Sequence, residues 1–367
     1  MREKFSVVLL LSAAILGACN RSEPVAAVQK PHLTPELVFY DWAEDMPQSV
    51  LDAFTAETGV KVTYLTYESM EEAVEKIRTG QVAPDVAVLD NDFVATLREQ
   101  DLLAEIDFRN VSNFKNVSPN FRDLAVDPGN RHSVPYHYGT TGLLVRTDLV
   151  GDTVKRWADL WKPRYAGKVA LRDQPREVLA LTLLSLGCAL NSEDPKELKQ
   201  ALERLLAVEK PFVLLGVEAS SAVPELLSGR VVVLQGWAED YRVAAQQNKA
   251  VRYVVPEDAT TLWSDSYTIP ARSARKETAE VFLNYLLRPE VSARIVNEKK
   301  YATANDASLP LIAPELRNDR VLFPPMEVLR RAHVYTTLSE KGEKLYDDVW
   351  KRFKSATQGR GGGRRGG

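Results

Sequence analysis

Three tryptophans of this chain stand beside carboxylates: Trp42 follows Asp41 and precedes Glu44 and Asp45, Trp237 precedes Glu239 and Asp240, and Trp263 lies two residues before Asp265. A flexible organic cation needs a carboxylate against each ammonium, because burying unpaired charge is prohibitive. It also needs flat aromatic walls, which pack its methylenes and add about 0.5–2 kcal/mol per well-placed cation–π contact. These residue types therefore suit the capture of a small, elongated cation. Any one of the three could equally be a rim tryptophan beside solvated charge; only the three together point to a ligand.

Rival chemistries have thinner support. The sequence holds no Gly-x-Ser-x-Gly elbow, P-loop or His-Glu-x-x-His run. Glu177 and Asp265 could serve as a general acid and base, as in sugar hydrolysis, but no enzyme activity is expected. The histidines are His32, His132, His137 and His333, and only His132 and His137 lie close, at a spacing that suits no usual ligand pair. They are expected at the surface or already hydrogen-bonded, and neither a metal nor a cofactor is expected. Tryptophan would also line a Ca²⁺ site poorly.

Both ends of the chain read as appendages. Residues 1–18 have a basic start (Arg2, Lys4) and an apolar run too short to span a membrane stably, ending in Leu16-Gly17-Ala18-Cys19. This resembles a bacterial lipoprotein leader, with Cys19 the expected lipid-bearing residue anchoring the mature protein to a membrane; an ordinary secretory signal that happens to end near a cysteine is the alternative, and either one takes the mature chain out of the cytoplasm. Residues 19–34 are then a tether. Cys188 is left without a disulfide partner, and its apolar neighbours point to an inert buried thiol. Residues 357–367 form a Gly/Arg tail expected to be disordered; it superficially resembles RNA-binding repeats, yet no nucleic-acid partner is expected of an exported protein. The whole chain carries −3. Without the net +1 of the leader and the three arginines of the last ten residues, the body carries −7, which favours cationic ligands.

The elements between these ends alternate. Leu37–Tyr40 reads as a strand, Pro47 opens a helix that Gly59 ends, and Val60, Val62 and Tyr64 alternate as a strand. Ser69-Met70-Glu71-Glu72 opens a helix closed by Gly80, and Val86–Leu89 is again a strand. This is an α/β pattern with mainly parallel pairing. It resumes with a strand at Lys168–Leu171, a helix from Pro175 through Leu190, an amphipathic helix at Lys196–Val208, strands at Phe212–Leu215 and Val231–Leu234, and a helix at Glu277–Leu287. A body of this size suggests two lobes. Ligand sites gather at the carboxyl ends of such strands, which here hold Asp41-Trp42, Asp90-Asn91-Asp92, Asp173 and Gln235-Gly236-Trp237.

Several runs carry a resemblance: Tyr40-Asp41-Trp42-Ala43-Glu44-Asp45-Met46-Pro47, Glu57-Thr58-Gly59-Val60-Lys61-Val62, Val134-Pro135-Tyr136, Trp157-Ala158-Asp159-Leu160-Trp161-Lys162-Pro163, Arg176-Glu177-Val178, Trp263-Ser264-Asp265-Ser266 and Leu286-Leu287-Arg288-Pro289-Glu290. In this order, from about Leu37 to about Trp350, the chain resembles the periplasmic spermidine/putrescine-binding proteins, the substrate-binding components of polyamine ABC transporters. The resemblance implies a two-lobed periplasmic-binding-protein fold of the type II kind, a monomer that closes on a polyamine and hands it to a permease. It implies crossovers near Thr141–Arg146, Leu262–Asp265 and Leu309, hence lobes of 35–143 with 265–309 and of 144–264 with 310–356. It implies that Trp42 and Trp237 sandwich the ligand chain, that Asp265 and Glu177 hold amines, and that Trp263 and Tyr301 complete the box. Asp240 matches an acid used by putrescine-selective members, and Glu44 flanks the first wall. The departures are Asp45, where the family usually has Tyr; Asp90-Asn91-Asp92, where it has a Ser-rich or Tyr-bearing stretch; and Gln174, where spermidine binders tend to have an acid. Asp45 and Asp92 would extend the site toward a longer or differently spaced amine.

Overall fold

The computed structural model describes residues 32–216 and 219–361. Cys19, the leader, most of the tether and the last six residues lie outside them. Among the described residues no helix is long and apolar enough to cross a membrane.

The strands are β1 (Glu36–Trp42), β2 (Lys61–Tyr67), β3 (Val86–Asp90), β4 (Ser133–Arg146), β5 (Val169–Arg172), β6 (Val213–Leu215), β7 (Val233–Gly236), β8 (Val251–Val254), β9 (Thr260–Thr268), β10 (Ala302–Thr303) and β11 (Ala332–Val334). They follow the spatial order β2-β1-β3-β9-β4-β7-β5-β6, with β10 and β8 on β4 and β11 on β9. The expected parallel pairing holds at β1 with β2 and β3, and at β5 with β6 and β7. Every antiparallel pair involves β4 or β9. The sheet is therefore mixed, because these two strands run between the halves rather than around one of them.

Local signals explain the first helices. Gly59 (φ 76°) and Gly80 (φ 77°) end helices Gln48–Thr58 and Met70–Thr79 in the left-handed region, where glycine carries no Cβ penalty. The Ser69 hydroxyl accepts from the Glu72 N–H at 3.3 Å, with Glu71 and Glu72 in the first turn and Lys76 and Arg78 in the last, as the helix dipole favours. The helix from Pro175 stops at Ser185, short of Leu190: Gly187 turns at φ 77°, and the Cys188 N–H returns to the Leu183 carbonyl at 3.0 Å. Cys188 is half-buried, and burial pushes its thiol pKa up.

Two principal cores form. In the first, Phe39, Phe54 and Phe282 meet edge-on at 4.9–5.3 Å among buried Leu37, Val86, Val134 and Leu283. In the second, Trp157 and Tyr165 pack with Leu171, Leu179, Leu183 and Leu202. The Trp157–Pro163 run thus serves the core. The Trp157 indole donates to the Ala259 carbonyl at 2.8 Å, and Asp159 accepts from the Lys155 and Arg156 N–H groups. Ile312, Leu316 and Leu322 pack in the first core, beyond the crossover expected near Leu309. The chain rejoins the second core through Tyr346, Val349, Trp350 and Phe353 of the last helix. That helix, Glu340–Gly361, continues past Thr357, where the composition predicts the start of a disordered tail. Its hydroxyls help, Ser355 donating to the Lys351 carbonyl and Thr357 to that of Lys354.

Candidate functional site

Strand ends build the site, as the alternating pattern anticipates. β1 delivers Asp41 and Trp42, β3 delivers Asp90, β7 delivers Gln235 and leads to Trp237, and β9 carries Trp263 and Asp265 across the middle. On adjacent strands Asp90, Asp265 and His137 lie side by side, since Asp265 is the register partner of both the others. A Cβ on Gly139 would collide with Cζ2 of Trp263, so that indole rests directly on the β4 backbone.

At the first-core end, the Trp42 indole donates to Asp265 Oδ2 at 3.2 Å and leans on Tyr67 with ring centroids 4.7 Å apart. Asp41 is fully buried; its Oδ1 accepts from the Trp42 N–H at 2.8 Å, and Oδ2 has no partner. Burial first, and then the charge of Asp45, raise the Asp41 pKa well above the ordinary carboxyl range. Burial and the charge of Asp265 do the same to Asp90. Asp265 Oδ1, Trp263 Nε1 and Ser264 Oγ are also buried without partners. Tyr301 donates to the Asp45 carbonyl at 2.5 Å and meets the Tyr136 hydroxyl at 2.7 Å.

At the second-core end, Glu177 is buried. Thr141 donates to its Oε1 at 3.1 Å and Gln235 to its Oε2 at 3.1 Å. Burial outweighs these bonds and pushes its pKa up to about 7. Glu239 is pushed up to about 8 by burial and by the charge of Asp240, and its Oε2 has no partner. The Trp237 indole donates to the Thr141 hydroxyl at 3.2 Å, which ties this wall to the β4 strand.

The structure thus brings Trp42, Asp45, Trp263, Asp265 and Tyr301 together at one end, and Glu177 and Trp237 at the other. Three of the acids expected in the site have neighbouring basic groups from the chain itself. Asp240 forms a fully buried ion pair with Arg172 at 2.5 Å and accepts from the Trp237 N–H at 3.0 Å, while the Arg172 guanidinium lies over the Trp237 ring at 5.0 Å. Asp45 meets His137 Nε2 at 3.1 Å. Burial raises Asp92 to about 6 even though the nearby charge of Arg176 works in the opposite direction. Glu44 stands apart: it is exposed at φ 64°, and its carbonyl accepts from Lys299. Asp173 turns away to pair with Lys354 at 2.8 Å.

Several neighbours escape sequence reasoning. Asp41 and Glu239 stand beside tryptophans yet are not among the expected ligand-binding residues; Gln235 is marked only by its strand end and Thr141 only by an expected crossover, and Tyr335 carries no local signal at all. Tyr335 joins from β11's carboxyl end, its hydroxyl pKa raised by burial and by the charge of Glu177. His137 contradicts the expectation of a surface or fully bonded histidine. It is 4% exposed, its Nε2 reaches Asp45, and its Nδ1 is buried without a partner. A short aromatic segment between two strand partners hides it. Among the described residues no cluster is arranged to hold a metal ion.

Known proteins share this architecture. Residues 49–323 match the model of the bacterial extracellular solute-binding protein family. The spermidine/putrescine-binding periplasmic protein of Escherichia coli K12 is 34% identical over 321 residues, 87% of this chain and 91% of its own. A putrescine-binding periplasmic protein of Pseudomonas aeruginosa is 31% identical, over 86% of this chain and 91% of its own. The solved spermidine/putrescine ABC transporter substrate-binding protein of Streptococcus pneumoniae superposes with a TM-score of 0.76 at 30% identity, over 88% of this chain and all of that one. The fold is accordingly the two-lobed one of periplasmic binding proteins, and the chain belongs to the bacterial extracellular solute-binding protein family, among its spermidine/putrescine-binding members.

Proposed function

We propose that this protein captures a polyamine of the putrescine or spermidine type between its lobes and delivers it to an ABC transporter permease. One observation carries the reading: Asp41 Oδ2 and Asp265 Oδ1 at one end, and Glu239 Oε2 and Asp240 Oδ1 at the other, are buried oxygens without hydrogen-bond partners, on acids that each stand within three residues of a tryptophan. Buried acceptors left unpaired are costly. Ammonium groups at both ends of a methylene chain would satisfy them, and Trp42, Trp237 and Trp263 would pack the chain between. Asp265 and Glu177 are the principal anchors. Asp240, already paired with Arg172, serves the Trp237 wall, and Asp45 is taken up by His137. The ligand is then one with two well-separated cationic ends, and nothing in the arrangement asks for catalysis.

Outside the cytoplasm, the mature chain is held by lipid on Cys19 and acts as a monomer. Asn20 lacks the retention signal of an aspartate at that position, which in a double-membraned cell favours the outer membrane; yet a tether of 19–34 is short for reaching an inner-membrane permease. Globomycin-sensitive processing and membrane fractionation test this part.

Ligand that binds only the native state raises the melting temperature by mass action. Putrescine, spermidine and agmatine are expected to raise it, whereas sugars and amino acids leave it unchanged. Asp265→Asn should weaken amine binding by roughly 3 kcal/mol or more, since it strands an ammonium in a buried site. A flat response to every amine would overturn the proposal.

A further inference from the structure

The ring of His137 lies beside the Asp265 carboxylate on its Oδ2 side, next to the buried Oδ1 that has no partner. Its Nε2 is 3.1 Å from Asp45 Oδ2 and 3.6 Å from Asp265 Oδ2. Tyr301 and Trp263 enclose it at ring-centroid distances of 4.4 and 5.5 Å. A carboxylate only accepts, so Nε2 carries a proton; Nδ1 is buried and faces no acceptor. The whole group is 4% exposed.

We propose that His137 is the chain's own cation at the Asp265 end of the site, and that an arriving amine evicts its second proton. This deepens the polyamine reading and rests on it. Charged, the imidazolium keeps Asp45 for itself and shares Asp265. Bringing an ammonium to Asp265 sets two like charges within one poorly hydrated pocket, where their repulsion is far stronger than in water. The proton that leaves is the one on Nδ1, which goes to buffer. The Nε2–H stays on Asp45, and Asp265 passes to the ligand. No bond other than N–H breaks, and the overall charge at that end is conserved.

The neighbours support a charged ring in the free protein. Burial alone would lower the pKa of His137, but the nearby charges outweigh it and raise it: Asp45 from the turn after β1 and Asp265 from β9, with Glu239 from the start of helix Ala238–Gln247 adding to them only where it is ionised. Tyr136 beside it on β4 and Tyr301 ahead of β10 have pKa values raised well above normal, chiefly by burial, so both stay neutral.

The test is calorimetry of the full chain with putrescine and spermidine in buffers of different ionisation enthalpy, for the wild type and His137→Gln. Glu177 and Glu239 also lose protons when an ammonium arrives, so the informative quantity is the difference between the proteins. Near pH 6 the wild type should release up to about one more proton per amine than the variant. The variant should bind more tightly there, and the two should converge at higher pH, once the wild-type ring has lost its second proton before the amine arrives. Equal proton release by both proteins overturns the inference. If the variant folds poorly, the His137 ring resonance of the wild type decides: its pKa must fall when putrescine is added, and an unchanged value overturns the inference. Binding of amines with no difference in proton release would sink this inference alone, whereas failure of all amines to bind would sink the polyamine reading itself.

Discussion

At the scale of single residues, the buried acids divide into those with a basic group of the chain beside them and those left with raised pKa values, Asp41 and Asp90 among the latter. Asp240 has Arg172, Asp45 has His137 and Asp92 has Arg176 nearby, while Glu177 and Glu239 are left with raised pKa values of about 7 and about 8. A carboxyl whose pKa is raised on folding contributes stability that is full below its unfolded value and lost as the pH rises through the folded one. For Glu177 the window runs from about 4.5 to about 7 and is worth on the order of 3 kcal/mol. The unfolding free energy of the ligand-free protein should therefore fall between pH 5 and pH 8 in urea titrations, less so in Glu177→Gln. Saturating putrescine should reverse much of that fall, because an ammonium favours the ionised carboxylate. Glu177 and Asp92 have no tryptophan beside them and entered through the resemblance and the strand-end pattern, whereas Asp240 and Asp265 were legible because they stand within three residues of one. The basic neighbours were not: His137 is 92 residues from Asp45, and no local pattern links them.

At the scale of elements, the start of helix Ala238–Gln247 does double duty. Asp240 closes its first turn on the Trp237 N–H and pairs with Arg172 at the end of β5, so one carboxylate joins the helix, the aromatic wall and a neighbouring strand. Removing it leaves a guanidinium buried beside an indole. Asp240→Ala should cost about 3–5 kcal/mol in urea unfolding, and Arg172→Met together with Asp240→Leu should recover a large part of that. If Asp240 instead held a ligand amine, Asp240→Asn would change amine affinity as much as Asp265→Asn does. The helices and short parallel strands could be read from capping residues, glycines and apolar alternation. β4 could not: all fourteen of its residues are buried, so the period of two vanishes. Nor could β9, whose Thr-Thr-Leu-Trp-Ser-Asp-Ser-Tyr-Thr is polar because it faces the site.

For the whole molecule, the two cores are joined through β4 and β9, which pair with each other from Ser133 to Thr141. The later half of β4 pairs with β7 and β8 instead. The carboxylates proposed to hold the ligand's ends belong to different cores, so an amine bridges what the strands connect. Small-angle scattering should register a smaller radius of gyration with putrescine than without it, and Asp265→Asn should abolish the change at the same amine concentration. The two-lobed class was legible from chain length and from motif order. The return of Ile312, Leu316 and Leu322 to the first core was not, since an apolar residue in a loop does not say which of two cores it will join.

Trp263 rests on Gly139, a little before β4 exchanges β9 for β7 as its partner. A ligand leaning on that indole would press close to that pivot, with no relay of intervening side chains. Posture and occupancy would then be one mechanical variable, and a permease that pries the lobes apart would tilt the ring away from its cargo in the same stroke.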